Sequence, residues 1–232
     1  MRIIALRQSV FRRGAPIVSK AMRPISVLVV GDSWSSDDGN PAPGGYFWWG
    51  EMAPEGVSFV MRGTPGKCLV DTTSPLGEET MFRDRDADIA AAPDADIVVV
   101  ATAGVNDFVR LARDDNYLTL PVFQAAATAI INTYIAAKKG VVMVGVPLVK
   151  GILIGDNIEA QVIARQYNAW LADFCVSKNI ACVDPGFLCN AEGLKPEYDI
   201  GDTTHLNANG TNALKDAIMG CVKAFSGRKA AA

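Results

Sequence analysis

The chain has 232 residues, half of them apolar and a fifth charged, which is ordinary for a globular protein of one α/β domain or two small ones. The formal charge of −3 hides an asymmetry: residues 1–23 hold six basic residues and no acid, leaving −9 on the rest. A body this acidic is a poor partner for phosphate backbones, and no apolar run reaches the roughly 20 residues that span a bilayer, so neither nucleic-acid binding nor a membrane span is expected.

The basic segment, residues 1–23, is expected to be a docking arm lying on its own domain or on a neighbouring subunit of a homo-oligomer. A mitochondrial-type presequence is the second reading, because the segment is basic, acid-free and lacks the continuous apolar core of a secretory signal. Residues 24–232 are expected to form one α/β domain. Its first strand is Ile25–Val30, a β-branched run with no polar alternation, the pattern of a strand buried on both faces. It stops at Gly31-Asp32-Ser33. A Gly/Pro/Asp-rich loop follows, then a short aromatic helix over 46–52. Val57–Met61 reads as strand two and ends in Arg62-Gly63-Thr64-Pro65-Gly66, which suits a turn.

A helix is predicted over 84–92 and a third strand over Ile97–Ala101, which stops at Gly104-Val105-Asn106-Asp107. The stretch 121–139 has proline in its first turn, lysines in its last and Gly140 as a stop, so it reads as a helix. Strand four follows over 141–146, a long helix over 158–178, a short strand over 180–183 and a final helix over 208–225. Strands and helices thus alternate about five times. Parallel crossovers need helix-length connections, so the expected architecture is a single three-layer domain with about five parallel strands and helices on both faces.

Five cysteines, Cys68, Cys175, Cys182, Cys189 and Cys221, are odd in number and lack Cys-x-x-Cys spacing. They are expected to be small buried apolar residues in a reducing compartment. With one histidine in the chain and no thiolate cluster, neither a metal nor a cofactor is expected.

In a parallel sheet, the loops after strands one, two, three and five emerge on one edge, where ligands bind. Those loops hold Ser33, Gly66, Asn106 and the pair Asp202 and His205. His205 is the only histidine, hence the only side chain that ordinarily titrates near neutrality. A serine hydroxyl is a weak nucleophile and needs such a base, and a carboxylate three residues away can hold the ring. A backbone N–H at Gly66 and the Asn106 amide can donate to a carbonyl oxygen as it becomes negative. The parts fit acyl transfer. Lys67 and Arg62 border the Gly66 turn and are placed either to attract an anionic substrate or on a plain surface. Asp107 is expected to cap a loop, and Asp32 to make a hydrogen bond within its own loop. Pro147 and Leu148 are placed where they could wall the substrate.

The blocks Gly31-Asp32-Ser33-Trp34, Arg62-Gly63-Thr64-Pro65-Gly66, Gly104-Val105-Asn106-Asp107 and Asp202-Thr203-Thr204-His205 resemble, in order, those of the SGNH (GDSL) hydrolases. Trp34 is a mild departure from the leucine or other apolar residue common there in the family, and the second block lacks its opening asparagine. The resemblance spans residues 25 to 225. It implies an SGNH/flavodoxin-like fold, with Ser33 as nucleophile and as a donor to the oxyanion hole. Gly66 and Asn106 would be the other donors, His205 the base and Asp202 its partner. The expected activity is ester hydrolysis through an acyl-enzyme, with a carbohydrate O-acetyl ester or another short-chain ester as substrate. A thioesterase or lipid esterase is the neighbouring reading. A structural or assembly protein that keeps the fold, for example one associated with a virion, is the alternative from another class.

Overall fold

The computed structural model describes residues 24–36, 53–70, 80–113, 118–154 and 158–230, with side chains to residue 225. The basic arm and the aromatic run 46–52 lie outside these residues. Five parallel strands form one sheet: β1 (Ile25–Ser36), β2 (Val57–Gly63), β3 (Ile97–Ala101), β4 (Gly140–Val144) and β5 (Ala181–Val183). Their order is β2-β1-β3-β4-β5. Chain direction across the sheet therefore reverses between β1 and β3, and a crevice opens there beyond the carboxyl ends of the strands.

The sheet forms because its central strands bury both faces. Val27–Val30, all of β3 and Val141–Val144 are almost fully buried. The register stacks Val29 beside Val99 and Val99 beside Val142. Each such side chain contributes about 1.5 to 3 kcal/mol by leaving water. On one face lie α1 (Met81–Ala91), α2 (Val105–Arg113), α3 (Leu120–Ala136), the single turn α4 (Lys150–Leu153) and α5 (Ile158–Ser177). The last helix, α6 (Ala208–Ala230), covers β4 and β5 from the other face. Between β5 and α6 run a 3-10 turn, Pro185–Leu188, and a two-stranded ribbon, β6 (Cys189–Asn190) and β7 (Gly193–Leu194). The expected single domain with a five-stranded parallel sheet flanked by helices is what the chain forms.

Several boundaries differ from expectation. The segment after β3 is the helix α2, not a loop. Phe108 of α2 stacks on Phe123 of α3 at 4.2 Å between ring centroids, and both meet Tyr167 of α5 at 5.8 and 5.7 Å. This aromatic knot fixes α2, and with it Asn106 and Asp107. Helix α3 ends at Ala136 rather than at the lysines: Lys138 takes φ 60° and reverses the chain, and Gly140 opens β4. Asn179 makes the same left-handed exit from α5, a conformation asparagine tolerates. All five cysteines are free thiols; Cys68 and Cys175 are buried, but Cys182, Cys189 and Cys221 are only half-buried. For Cys182 the reason is that β5 is an edge strand. Among the described residues no helix is long and apolar enough to cross a membrane.

Candidate active site

The site begins where β1 stops pairing. Gly31 and Ser36 both sit opposite Gly63 of β2, so Asp32–Ser35 bulge away from the sheet. Only glycine fits at position 31: a Cβ there would lie 2.4 Å from the Ala101 carbonyl oxygen. Asp32 turns inward and is fully buried. Its carboxylate accepts from the Trp34 N–H at 3.0 Å and from the Thr102 hydroxyl at 2.5 Å. Thr102 holds φ 60°, a strained conformation for a β-branched residue, and its bond to Asp32 is one of the contacts that keep it there. Ser35 donates its hydroxyl to the Asp32 carbonyl at 3.1 Å. With both neighbours tied down, Ser33 is the residue of the bulge that faces outward.

It faces His205. Ser33 Oγ lies 3.0 Å from His205 Nε2, and His205 Nδ1 lies 2.5 Å from Asp202 Oδ2. The other Asp202 oxygen accepts the backbone N–H groups of Thr204 at 2.9 Å and His205 at 2.7 Å. Burial pushes the Asp202 carboxyl up, but the His205 ring and these two N–H groups outweigh it and hold the group below the usual carboxylate range. The tip that carries the pair is closed at its base. Ile200 N–H donates to the His205 carbonyl at 3.1 Å and Asn207 N–H to the Tyr198 carbonyl at 2.8 Å. Asp199 accepts from Gly201 at 2.7 Å and Thr203 at 3.0 Å, which supports Thr203 at φ 67°. Asn207 then caps α6 by accepting the Gly210 N–H at 3.0 Å.

Gly66 sits in the turn Thr64–Lys67, closed by Lys67 N–H on the Thr64 carbonyl at 3.1 Å. Gly66 at φ 76° in the third position is what a type II turn requires, and proline is common at its second. Thr64 N–H donates to the Gly31 carbonyl at 3.0 Å, which ties the turn to the root of the serine bulge. Asn106 donates one amide hydrogen to the Lys67 carbonyl at 3.0 Å. Asp107, buried in the first turn of α2, accepts the N–H groups of Leu69 at 2.7 Å and Val70 at 3.1 Å. It thus caps a loop as expected, but a distant one, the segment after Gly66. The structure thus joins Ser33, His205 and Asp202 in one hydrogen-bonded line. The segments that hold Gly66 and Asn106 are bonded to each other, and the Gly66 turn is bonded to the root of the serine bulge.

Two expectations, those for Lys67 and Leu148, are corrected, while Arg62, 43% exposed, keeps the surface place that was one of its two readings. Lys67 is not available to an anionic substrate: it is 4% exposed and its Nζ lies 2.7 Å from Asp84 Oδ2. Arg62 is engaged by Asp88 at 3.1 Å. Both cations serve to dock α1, whose carboxylates neutralise them. Leu148 lines a different groove, of about 690 Å³, shared with Gly145, Asn168 and Cys189, to which neither Ser33 nor His205 contributes. Sequence reasoning also missed the part played by Trp34. Its indole N–H donates to the Thr204 carbonyl at 3.1 Å, so the residue after the serine bridges to the histidine tip. Its departure from leucine was the available signal.

Burial pushes the Asp32 carboxyl up to about 7, against the opposing pull of the Thr102 hydroxyl and the Trp34 N–H. Asp107 is pushed up to about 6 by the same cause, against its bonds to Leu69 and Val70. The folded chain thus holds a proton on Asp32 that the unfolded chain releases near the ordinary 3.8, so stability falls as pH rises from there to about 7. An asparagine in its place would keep both bonds, with the amide donating to a reoriented Thr102 hydroxyl. The urea midpoint of Asp32→Asn should therefore gain on the wild type steadily across that window. Midpoints that stay parallel would mean that Asp32 does not titrate there.

A family model described as GDSL-like Lipase/Acylhydrolase family matches residues 29–213. Among curated protein sequences none matches. Solved structures share the fold. A carbohydrate acetylesterase from Sinorhizobium meliloti superposes with TM-score 0.62 at 18% identity, over 87% of this chain and 99% of that one. A GDSL-like lipase from Bacteroides thetaiotaomicron gives 0.61 at 17% identity, over 85% and 87%. An acetylxylan esterase from Geobacillus stearothermophilus gives 0.60 at 16% identity, over 85% and 93%.

Proposed function

The chain belongs to the GDSL-like lipase/acylhydrolase family, and from that membership we propose that it is a serine esterase working through an acyl-enzyme. The observation that carries the proposal is the unbroken line from Ser33 Oγ through the His205 ring to Asp202, with steps of 3.0 and 2.5 Å. Ser33 Oγ attacks the ester carbonyl carbon while its proton passes to His205 Nε2. Asp202 keeps the other ring hydrogen on Nδ1 and stabilises the imidazolium that forms. The collapsing intermediate expels the alcohol, which takes the proton back from Nε2. Water then attacks the acyl carbon while giving a proton to His205 Nε2, and collapse breaks the bond to Ser33 Oγ, which takes that proton back as the acid leaves.

The carbonyl oxygen becomes negative in both halves of this cycle. The backbone N–H groups of Ser33 and Gly66 and the Asn106 amide are the donors we assign to it. An amide has two hydrogens. Asn106 uses one on the Lys67 carbonyl, which orients the other. Asn106→Ala is expected to lower kcat by about 10² to 10³ with KM little changed, since the bond strengthens only as charge develops. Steady-state kinetics on a short-chain nitrophenyl ester would read this; an unchanged kcat would remove Asn106 from the oxyanion hole.

For the substrate we propose a carbohydrate O-acetyl ester. Two features support it. The His205 and Asp202 side chains are 22% and 40% exposed, so the relay is reachable from water. Two of the structural neighbours are described as a carbohydrate acetylesterase and an acetylxylan esterase. Acetate release from an acetylated oligosaccharide, set against hydrolysis of a short acyl thioester and a longer acyl ester, tests the choice. Faster turnover of either rival would overturn it. The serine mechanism itself is tested by a fluorophosphonate probe: mass spectrometry should find one adduct, on the peptide that contains Ser33. An intact, folded chain that takes no adduct there would sink the mechanism.

A further inference from the structure

Helix α5 has the wrong outer face for a helix at the surface of a lone domain. Its inner stripe, which includes Ala160, Ala164, Tyr167, Leu171 and Cys175, is buried against the sheet and its neighbours. The side directly opposite should be polar. Instead, beside Asp173, it carries Ile158, Val162, Arg165, Ala169, Ala172 and Val176, in alternating steps of four and three; Arg165, Ala169 and Ala172 form one wall of the groove that Leu148 also lines. Such alternation is the spacing of a helix seam packed against another helix. Ile158, Val162 and Val176 are 74%, 48% and 80% exposed, and Ile154, just before the helix, is 67% exposed. Of the seven exposed large apolar side chains among the described residues, six lie on α5, on the turn before it or on the adjacent α3, as Val122 and Ile135. These six belong to neighbouring elements of one layer, so the exposed apolar residues are concentrated there. Helix α3 carries no charged residue at all.

We propose that this face is the interface of a two-fold symmetric homodimer, in which α5 packs antiparallel on α5 of a second copy with the axis at Ala169. Self-complementarity argues for a second copy over any other occupant. With the axis at Ala169, Val162 meets Val176 of the partner subunit and Arg165 meets Asp173 of the partner subunit, each contact occurring twice. Ala169 meets its own counterpart, and Ala172 lies nearby, so the backbones can approach closely at the centre. Both Arg165 and Asp173 are exposed, and among the described residues neither has an ion-pair partner. The size also fits. Twenty residues at 1.5 Å each make α5 about 30 Å long. Two helices side by side, roughly 20 Å wide, present about 600 Å², near the roughly 800 Å² per partner of a stable complex. This contact differs from one made through residues 1–23.

Sedimentation velocity of the full chain across a dilution series tests the proposal. The wild type should sediment as a dimer that dissociates only on dilution. Ala169→Glu places two carboxylates on the axis and should weaken the dimer roughly thirtyfold or more, with an unchanged circular dichroism spectrum. Arg165→Asp and Asp173→Arg should each weaken it. The double variant R165D/D173R should restore it, a rescue that only this antiparallel pairing predicts. A chain lacking residues 1–23 should remain dimeric. A wild type that stays monomeric overturns the proposal. So does a dimer untouched by all the α5 variants, a dimer lost with residues 1–23 alone, or a monomer that binds lipid vesicles through this face.

Discussion

Ser33→Ala should reduce the turnover of a short-chain nitrophenyl ester by roughly 10⁴- to 10⁶-fold, the usual scale for removing a nucleophile from such a relay. The substitution removes one oxygen from a position whose backbone is held by its neighbours, so fold and thermal midpoint should hardly move. No other hydroxyl of the bulge or its support can stand in. Ser35 is 1% exposed and its hydroxyl is engaged by the Asp32 carbonyl. Thr102 is fully buried and bonded to Asp32. Turnover that survives in a folded Ser33→Ala chain would therefore mean that the reaction does not pass through the bulge at all.

The second large effect is expected at Asp202. Asparagine is isosteric, and its oxygen can still accept the N–H groups of Thr204 and His205, so the tip keeps its shape. The atom facing His205 Nδ1 becomes an amide nitrogen with hydrogens of its own. The ring must then turn its acceptor toward that amide and carry its hydrogen on Nε2, where the Ser33 proton has to go. The wrong tautomer costs about 10⁴ in a fully enclosed relay. Here Asp202 is 40% exposed and water shares its work, so Asp202→Asn should cost about 10² to 10⁴ in kcat. Because its ring and backbone bonds hold the Asp202 carboxyl low, it is ionised across the neutral range, and the loss should not be recovered at any pH between about 6 and 9. A variant with wild-type kcat would show that the ring needs no such partner.

The architecture was legible because the central strands are buried on both faces and so read as uninterrupted apolar runs, at Val27–Val30, Ile97–Ala101 and Val141–Val144. The catalytic candidates were legible because each follows a strand and the sheet is parallel. What escaped the sequence depends on contacts between distant residues. The first turn of α2 looked like a loop because Asp107 spends its carboxylate on Leu69 and Val70, far away in the chain. Lys67 looked exposed because nothing near it announces Asp84. The chain turns away after α3 through a left-handed lysine, Lys138, which no propensity favours. Thr102 and Trp34 gained their places through partners about 70 and 170 positions distant. The outer face of α5 was visible in the spacing from Ile158 to Val176, yet became meaningful only once its opposite side was seen to be buried.

Asp202 and His205 stand three residues apart on one tip that is closed by its own backbone bonds. Carboxylate and ring are therefore aligned by bonds within the tip itself. Assembly of the relay reduces to a single coordinate, the gap between that tip and the bulge of β1. The indole of Trp34 spans this gap as a strut, so the distance between the two halves is set by one side chain that belongs to neither Ser33 nor the tip.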